Sequence, residues 1–410
     1  ATPSTALDVV GEITVLNSNT GVYVGSNNSA TGKYSVALGY DNDALTEKSV
    51  AVGYNNASSG PESSTFGRGN QATEDYATAV GYENRATGDW ASAFGKANYA
   101  SYKSVALGIA NNANGNQSVA VGYANNATAT DTTALGRGTT ASALAATAVG
   151  RDSKATGEYA TAVGYNNTAV NRAGAFGYNN TASSQATTAI GYINNATGLY
   201  STALGYTNNA NLYATAVGYD NDATAQFSSA FGASNIASAL RTTAIGYDNT
   251  ANGNDATALG RSNTASSTSA TAVGYSNEAT ATQGTAVGYN NKADDRSTAL
   301  GYLNEATGPY STAVGFYNLA TSDSSTAVGK NVVVSGYRSS ALGFYATVGT
   351  IDTIEIGQWS TSRAREGAVR IHDNGLVALT MRSGSAPTAS ATAAGYETST
   401  TLATDMYTIQ

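Results

Sequence analysis

The chain contains one imidazole, His372, and no cysteine, so catalysis of the Ser/His/Asp or Cys/His kind has a single possible base and no thiol. His372 precedes Asp373, Asn374 and Gly375, a turn signature, and reads as a solvated turn residue. Carboxylates occur in close pairs, Asp41 with Asp43, Asp220 with Asp222 and Asp294 with Asp295, a spacing that could serve acid–base or hard-cation chemistry. All three pairs lie in segments that read as turns, where Asp is a common former, and the Gly/Asp nonapeptide of calcium-binding rolls is absent. The sequence therefore assigns no catalytic residue, no cofactor and no metal site, and the expectation is a protein that is not an enzyme. Tyrosine is the one side chain that recurs usefully. Tyr40, Tyr54, Tyr82, Tyr165, Tyr178, Tyr192, Tyr206, Tyr247, Tyr275 and Tyr289 each follow a glycine, and stacked at strand spacing they would form a ridge of flat apolar faces with polar tips. Such a ridge suits glycan or surface binding; its other use is to shield a coil edge or a joint between subunits.

What positions those rings is a repeat, which runs from Gly25 to Gly357. The 25 glycines define 24 intervals, 20 of 14 residues and four of 13, with no larger insertion. Self-similarity at this period marks a solenoid. The composition agrees, because Thr, Val, Tyr, Asn and Gly dominate while good helix formers are scarce, favouring short strands and tight turns. Fourteen residues accommodate two strands of about five residues and two turns, each strand pairing in parallel with its copy one coil away. At about 4.8 Å per step, 25 coils would give a rod of roughly 120 Å. The 13-residue coils are expected to shorten a turn, since a residue lost inside a strand would reverse every following side chain.

The columns of the repeat each carry one chemistry. The residue before the glycine is Val, Ile, Leu or Phe in all 25 coils and is expected to point inward. Two before it stands Ala in 22 coils, the exceptions being Tyr23, Thr65 and Glu355, which predicts a close neighbour. Three after it stands Asn in 20 coils, read as a left-handed turn residue whose amides bond to one another along the stack. One Val or Leu with a few Ala and Thr methyls offsets little of the entropy lost in ordering a coil. The Ala and Gly columns are therefore expected to form a small-residue face for packing identical subunits around a long axis.

The segment SVALGYDNDALTEKSVAVGYNNASSG, Ser35 to Gly60, and its later copies STALGYTNNA and STAVGF resemble the head repeat of YadA-like trimeric autotransporter adhesins. The resemblance covers about Val22 to Ser360. It implies a left-handed parallel β-roll, a homotrimer and an adhesive outer surface. No heptad stalk or membrane-anchor strands accompany the repeat in this sequence, and similar repeats occur in bacteriophage tail fibres. After Ser360 the register ends; AVRIHDNGLVALTM reads as a hairpin, followed by a Ser/Ala/Pro linker and a strand-like DMYTI.

The expected fold is thus an all-β, left-handed parallel β-roll solenoid of about 25 coils with a 13–14 residue repeat, homotrimeric, ending in a β-hairpin region. Its parts are an N-terminal lead-in at 1–21, the β-roll at 22–359 and a C-terminal hairpin and tip or connector at 360–410. Scattered Lys and Arg and a net charge of −8 exclude nucleic acid as a natural partner, and no apolar run is long enough for membrane insertion. A single Thr column, in 14 coils, is a poor match to the paired arrays of ice-binding solenoids. The expected function is a tail fibre on a virion surface for host attachment, with the surface-exposed head of a bacterial trimeric autotransporter adhesin as the alternative. Partners would be a host-surface glycan or protein receptor and, on a virion, other fibre or baseplate proteins.

Overall fold

In the computed structural model, residues 21–357, 368–371, 376–380 and 391–392 are described. His372 and its turn, residues 1–20 of the 1–21 lead-in and the DMYTI segment lie outside them. The chain divides into two compact units, Ala1–Ile193 and Asn194–Gln410. Each is an all-β parallel solenoid, and the described residues include no helix.

One coil alternates a five-residue strand with a two-residue strand, as in Val50–Tyr54 and Ala57–Ser58 of the first unit or Thr271–Tyr275 and Glu278–Ala279 of the second. The second strand is shorter than expected, because two turns per coil each need a left-handed residue. The first turn places Asp41 at φ 59° and Asn55 at φ 53°; the second places Lys48 at φ 58° and Trp90 at φ 60°. Like strands stack in parallel with glycine on glycine, Gly39 opposite Gly53 and Gly274 opposite Gly288. The register survives a 13-residue interval: Gly164 still pairs with Gly177. As expected, the lost residue comes from a turn, the one that follows the two-residue strand.

The core reverses the inward and outward assignment of the apolar column. Ala106 and Ala299 are 0% exposed, whereas the adjacent Leu107 and Leu300 are 46% and 43% exposed. The two alanine columns meet across a coil too thin for larger side chains, so the close neighbour of the alanines is the opposite strand of their own chain. They cannot form the face between subunits. Where the pattern breaks, the break is matched: Thr65 replaces Ala in one column and Ser58 in the other, and their hydroxyls lie 2.8 Å apart. In the last coils Val332, Val334 and Val348 fill the interior, and Glu355 is buried with a carboxylate oxygen accepting from the Thr347 amide at 3.4 Å.

Two interior columns remain: small Ser, Ala or Thr residues four before the glycine, as at Ser49, Ala77 and Thr132, and asparagine. Asn277 lies buried, its Nδ2 2.9 Å from Asn263 Oδ1, 2.9 Å from the Val273 carbonyl and 2.8 Å from the Gly288 carbonyl. Its own Oδ1 accepts from the amide nitrogens of Asn291, backbone at 3.0 Å and side chain at 2.9 Å. The expected amide ladder is present, but the left-handed residue is the one before each asparagine, Ser276 at φ 51° in this coil. The glycine belongs to the same device. Gly274 has φ 121°, and a Cβ there would sit 2.0 Å from Gly288 O and 3.0 Å from Asn277 Nδ2. The conformation that only glycine adopts readily supports this close approach of successive carbonyls to the amide column.

At the C-terminal end Ile354–Gly357 pairs antiparallel with Ala368–Ile371, which pairs antiparallel with Leu376–Thr380. The expected hairpin is therefore formed, with its turn outside the described residues.

Candidate functional site

A solenoid with an alanine and asparagine interior must place its larger side chains outside, and three outward columns result. The first is the apolar column before the glycine, flanked by the Thr and Val residues three before it; Phe66, Leu259 and Leu342 are among its exposed members. A row of half-exposed aliphatic side chains on successive strands is a surface that water solvates poorly.

The second column follows the glycine and contains the ten singled-out tyrosines. Tyr165, Tyr178 and Tyr192 stack at 5.0 and 4.8 Å between centroids, nearly parallel, and Tyr40 stacks on Tyr54 at 5.3 Å. In the second unit Tyr206 stacks on Tyr219 at 5.1 Å, and Tyr275, Tyr289, Tyr302 and Phe316 continue at 5.0, 4.7 and 4.8 Å. Where the column is not aromatic it is often cationic. Arg68 lies over both Tyr54 and Tyr82, Lys96 over Tyr82, and Arg261 over both Tyr247 and Tyr275, at 5.4 to 5.6 Å. The cations prolong the stack by cation–π attraction, so the ridge anticipated from sequence exists as a mixed aromatic and cationic column. Replacing Tyr275, Tyr289 and Tyr302 together by Ala removes three stacked contacts worth about 0.5–1.5 kcal/mol each. Thermal unfolding should therefore begin at a lower temperature; an unchanged melt would show that the stack contributes nothing to the coil.

The YadA head domain repeat, in its two-copy form, matches the chain in sixteen segments between residues 24 and 346, among them 30–56, 141–167, 210–235 and 265–291. The chain belongs to the YadA head repeat family. Its matches leave gaps longer than one residue at 99–101, 168–174 and 292–294, each in a 13-residue coil, while the fourth such coil, Gly205 to Gly218, is matched without a gap. No curated protein matches the chain.

These YadA head repeats carry a third outward column that sequence reading passed over, at the left-handed residue of the second turn. It holds Tyr34, Tyr76, Trp90, Tyr159, Tyr200, Tyr213, Phe227 and Tyr310, all exposed. Tyr76 stacks on Trp90 at 4.2 Å, and Tyr213 on Phe227 at 5.0 Å. The signal was present as an aromatic residue five before the glycine, in EDYATAVG, GDWASAFG and GPYSTAVG. Charges in this column pair off along the stack: Lys48 with Glu62 at 2.9 Å, Arg241 with Asp255 at 2.5 Å and Arg338 with Asp352 at 2.6 Å. The hydrogen bonds to Glu62, Asp255 and Asp352 raise the pKa of Lys48, Arg241 and Arg338, and that from Arg241 lowers the pKa of Asp255. Lying at the solvent-facing turns, with side chains 30% to 57% exposed, such pairs contribute little to stability.

The paired carboxylates of the YadA head repeats do not converge into a site. Asp41 and Asp220 occupy left-handed turn positions, and Asp43 and Asp222 lie two residues on, in the short strands. Burial, then the nearby Asp220 charge, raises the pKa of Asp222. Asp294 accepts from Thr280 at 2.8 Å, and Asp295 lies 3.7 Å from Arg296. Among the described residues no three acidic or His side chains are grouped as metal ligands.

Proposed function

We propose that the chain is the attachment head of a trimeric autotransporter-type adhesin, three left-handed copies packed side by side through their apolar columns and exposed outside the cell. One observation carries this reading: the aliphatic side chains lie outside and the alanines inside, so a single chain leaves its most apolar surface in water. A second and third copy bury that row, and the same heterologous contact repeated three times closes into a ring. The aromatic and turn columns then remain for a host-surface glycan or protein receptor, and the reading assigns the chain no catalytic turnover. The family membership favours this setting over a virion tail fibre. Antibody labelling of cell envelopes and of purified particles separates the two, because label confined to particles overturns the adhesin.

Assembly has its own test. Leu259 and Val273 are register partners in the apolar column, so the double replacement Leu259→Asp/Val273→Asp sets two carboxylates into each copy of the joint. Light scattering should give three times the 41.4 kDa chain mass for the parent and dissociation or a lower melting temperature for the variant. A monomeric parent, or a variant that assembles unchanged, overturns the proposed packing.

A further inference from the structure

Between Gly164 and Gly177 the second turn is reduced to Val170, Asn171 and Arg172, whereas the coils on either side carry Thr156–Gly157–Glu158–Tyr159 and Ser183–Ser184–Gln185–Ala186. The shorter turn recedes from the edge and leaves a cleft of about 310 Å³ lined by Glu158, Asn171, Arg172 and Gln185. The backbone fixes its walls. Arg172 N donates to Glu158 O at 2.7 Å, and Ala186 N donates to Asn171 O at 3.0 Å. Gly157 lets the short turn pack directly against it, since a Cβ there would lie 1.9 Å from Asn171 N, as Gly60 and Gly308 do against full-length turns. Beside the cleft stands Tyr159, 54% exposed, with the Arg172 guanidinium 6.0 Å from its ring centroid. Tyr159 has φ 55°, a conformation that costs a bulky residue energy and that Gly or Asn would adopt more easily. The fold explains the left-handed backbone; it does not explain an exposed ring there.

We propose that this short coil is a saccharide-binding subsite that takes one neutral pyranose unit of a surface glycan. The sugar's apolar face rests on Tyr159, while Glu158, Asn171, Gln185 and Arg172 supply acceptors and donors for its hydroxyls. The volume lies at the small end of ligand pockets, and one carboxylate with one guanidinium gives the lining no net charge, which suits an uncharged polyol. Cation–tyrosine pairs stand at two other 13-residue coils with the ring placed differently: Arg296 lies 5.2 Å over Tyr310 of the following coil and donates to its hydroxyl at 2.5 Å, and Lys103 lies 5.0 Å over Tyr102 of its own turn. Such pairs also occur in 14-residue coils, Lys33 over Tyr34 and Arg338 over Tyr337, so the cleft and not the pair marks this coil. The break in the family match at 168–174 falls on the same turn, so the subsite is a departure from the common repeat.

This inference rests on the attachment reading, and the experiment separates the two. The full chain is applied to immobilised neutral oligosaccharides ending in hexose, N-acetylhexosamine or deoxyhexose, and to sialylated and sulfated counterparts, alongside an assay of host-cell attachment. Expected is binding to a neutral class that falls at least tenfold in Tyr159→Ala and in Arg172→Ala. It should fall equally when one Ser is inserted between Val170 and Asn171, which restores the commoner 14-residue turn and leaves the strands in register. Folding of each variant is checked by its melting curve. No binding to neutral sugars, binding to acidic sugars alone, or binding unaffected by the insertion overturns the subsite while attached cells leave the adhesin standing. Loss of cell attachment by the parent chain overturns both.

Discussion

Gly274→Ala should destabilise the second unit by at least about 3 kcal/mol, in the range of the largest single-residue effects. Two costs add. The backbone there has φ 121°, a region an L side chain occupies only under strain, and the new methyl would meet Gly288 O at 2.0 Å. Relieving that contact separates two coils, and each coil is held mainly by its neighbours. Amide hydrogen exchange should show lost protection centred on Thr271–Tyr275 and Thr285–Tyr289. Gly69→Ala is the control: Gly69 has φ 68°, and a Cβ there meets nothing closer than Glu83 Cγ at 3.4 Å. Ala124 already occupies the equivalent place in another coil at φ 54°, so this change should cost about 1 kcal/mol or less. Equal effects of the two substitutions would sink the account of the glycine column.

Asn277→Ala should be nearly as damaging. It strips a donor from the carbonyls of Val273 and Gly288 and from Asn263 Oδ1, and it removes the acceptor used by Asn291. A buried polar group left unpaired costs about 1–3 kcal/mol, so a loss of roughly 3 kcal/mol is expected by chemical denaturation. Asn277→Thr should be milder, because Thr139 fills the same column and its hydroxyl and amide both donate to Asn125 Oδ1, at 2.6 and 3.0 Å. If Ala and Thr cost the same, the amide column is filler and not a bonded ladder.

The period, the parallel stacking and the all-β class were legible from residue spacing alone, because Gly, Ala and Asn recur at fixed offsets and a strand cannot change register unnoticed. The orientation of the strand was not. Val and Leu were assigned inward by the general habit of apolar side chains, but the coil is thin enough that Ala37 and Ala51 fill it, and the bulkier neighbours are forced out. Smallness at a recurrent position does report a close approach, but the partner is the opposite strand of the same chain and not a second subunit. The same shift by one position gave Asn42 the left-handed role that Asp41 holds at φ 59°. For the candidate site, the ten tyrosines were visible because they follow the glycine that anchors the alignment. Tyr159 and Trp90 were missed because they stand in the turn whose length varies, and the cleft beside Arg172 depends on the height of three successive turns, which no single coil encodes.

The interior of alanines and amides has a consequence for how such a gene changes. Apart from the matched Ser58–Thr65 pair and the valine-filled last coils, the described coils repeat the same small buried residues, so crossing-over between copies that keeps whole multiples of the period joins coils that already fit. Lineages can therefore gain or lose reach in discrete steps without compensating mutations, while the variable turns drift separately under selection by whatever they meet.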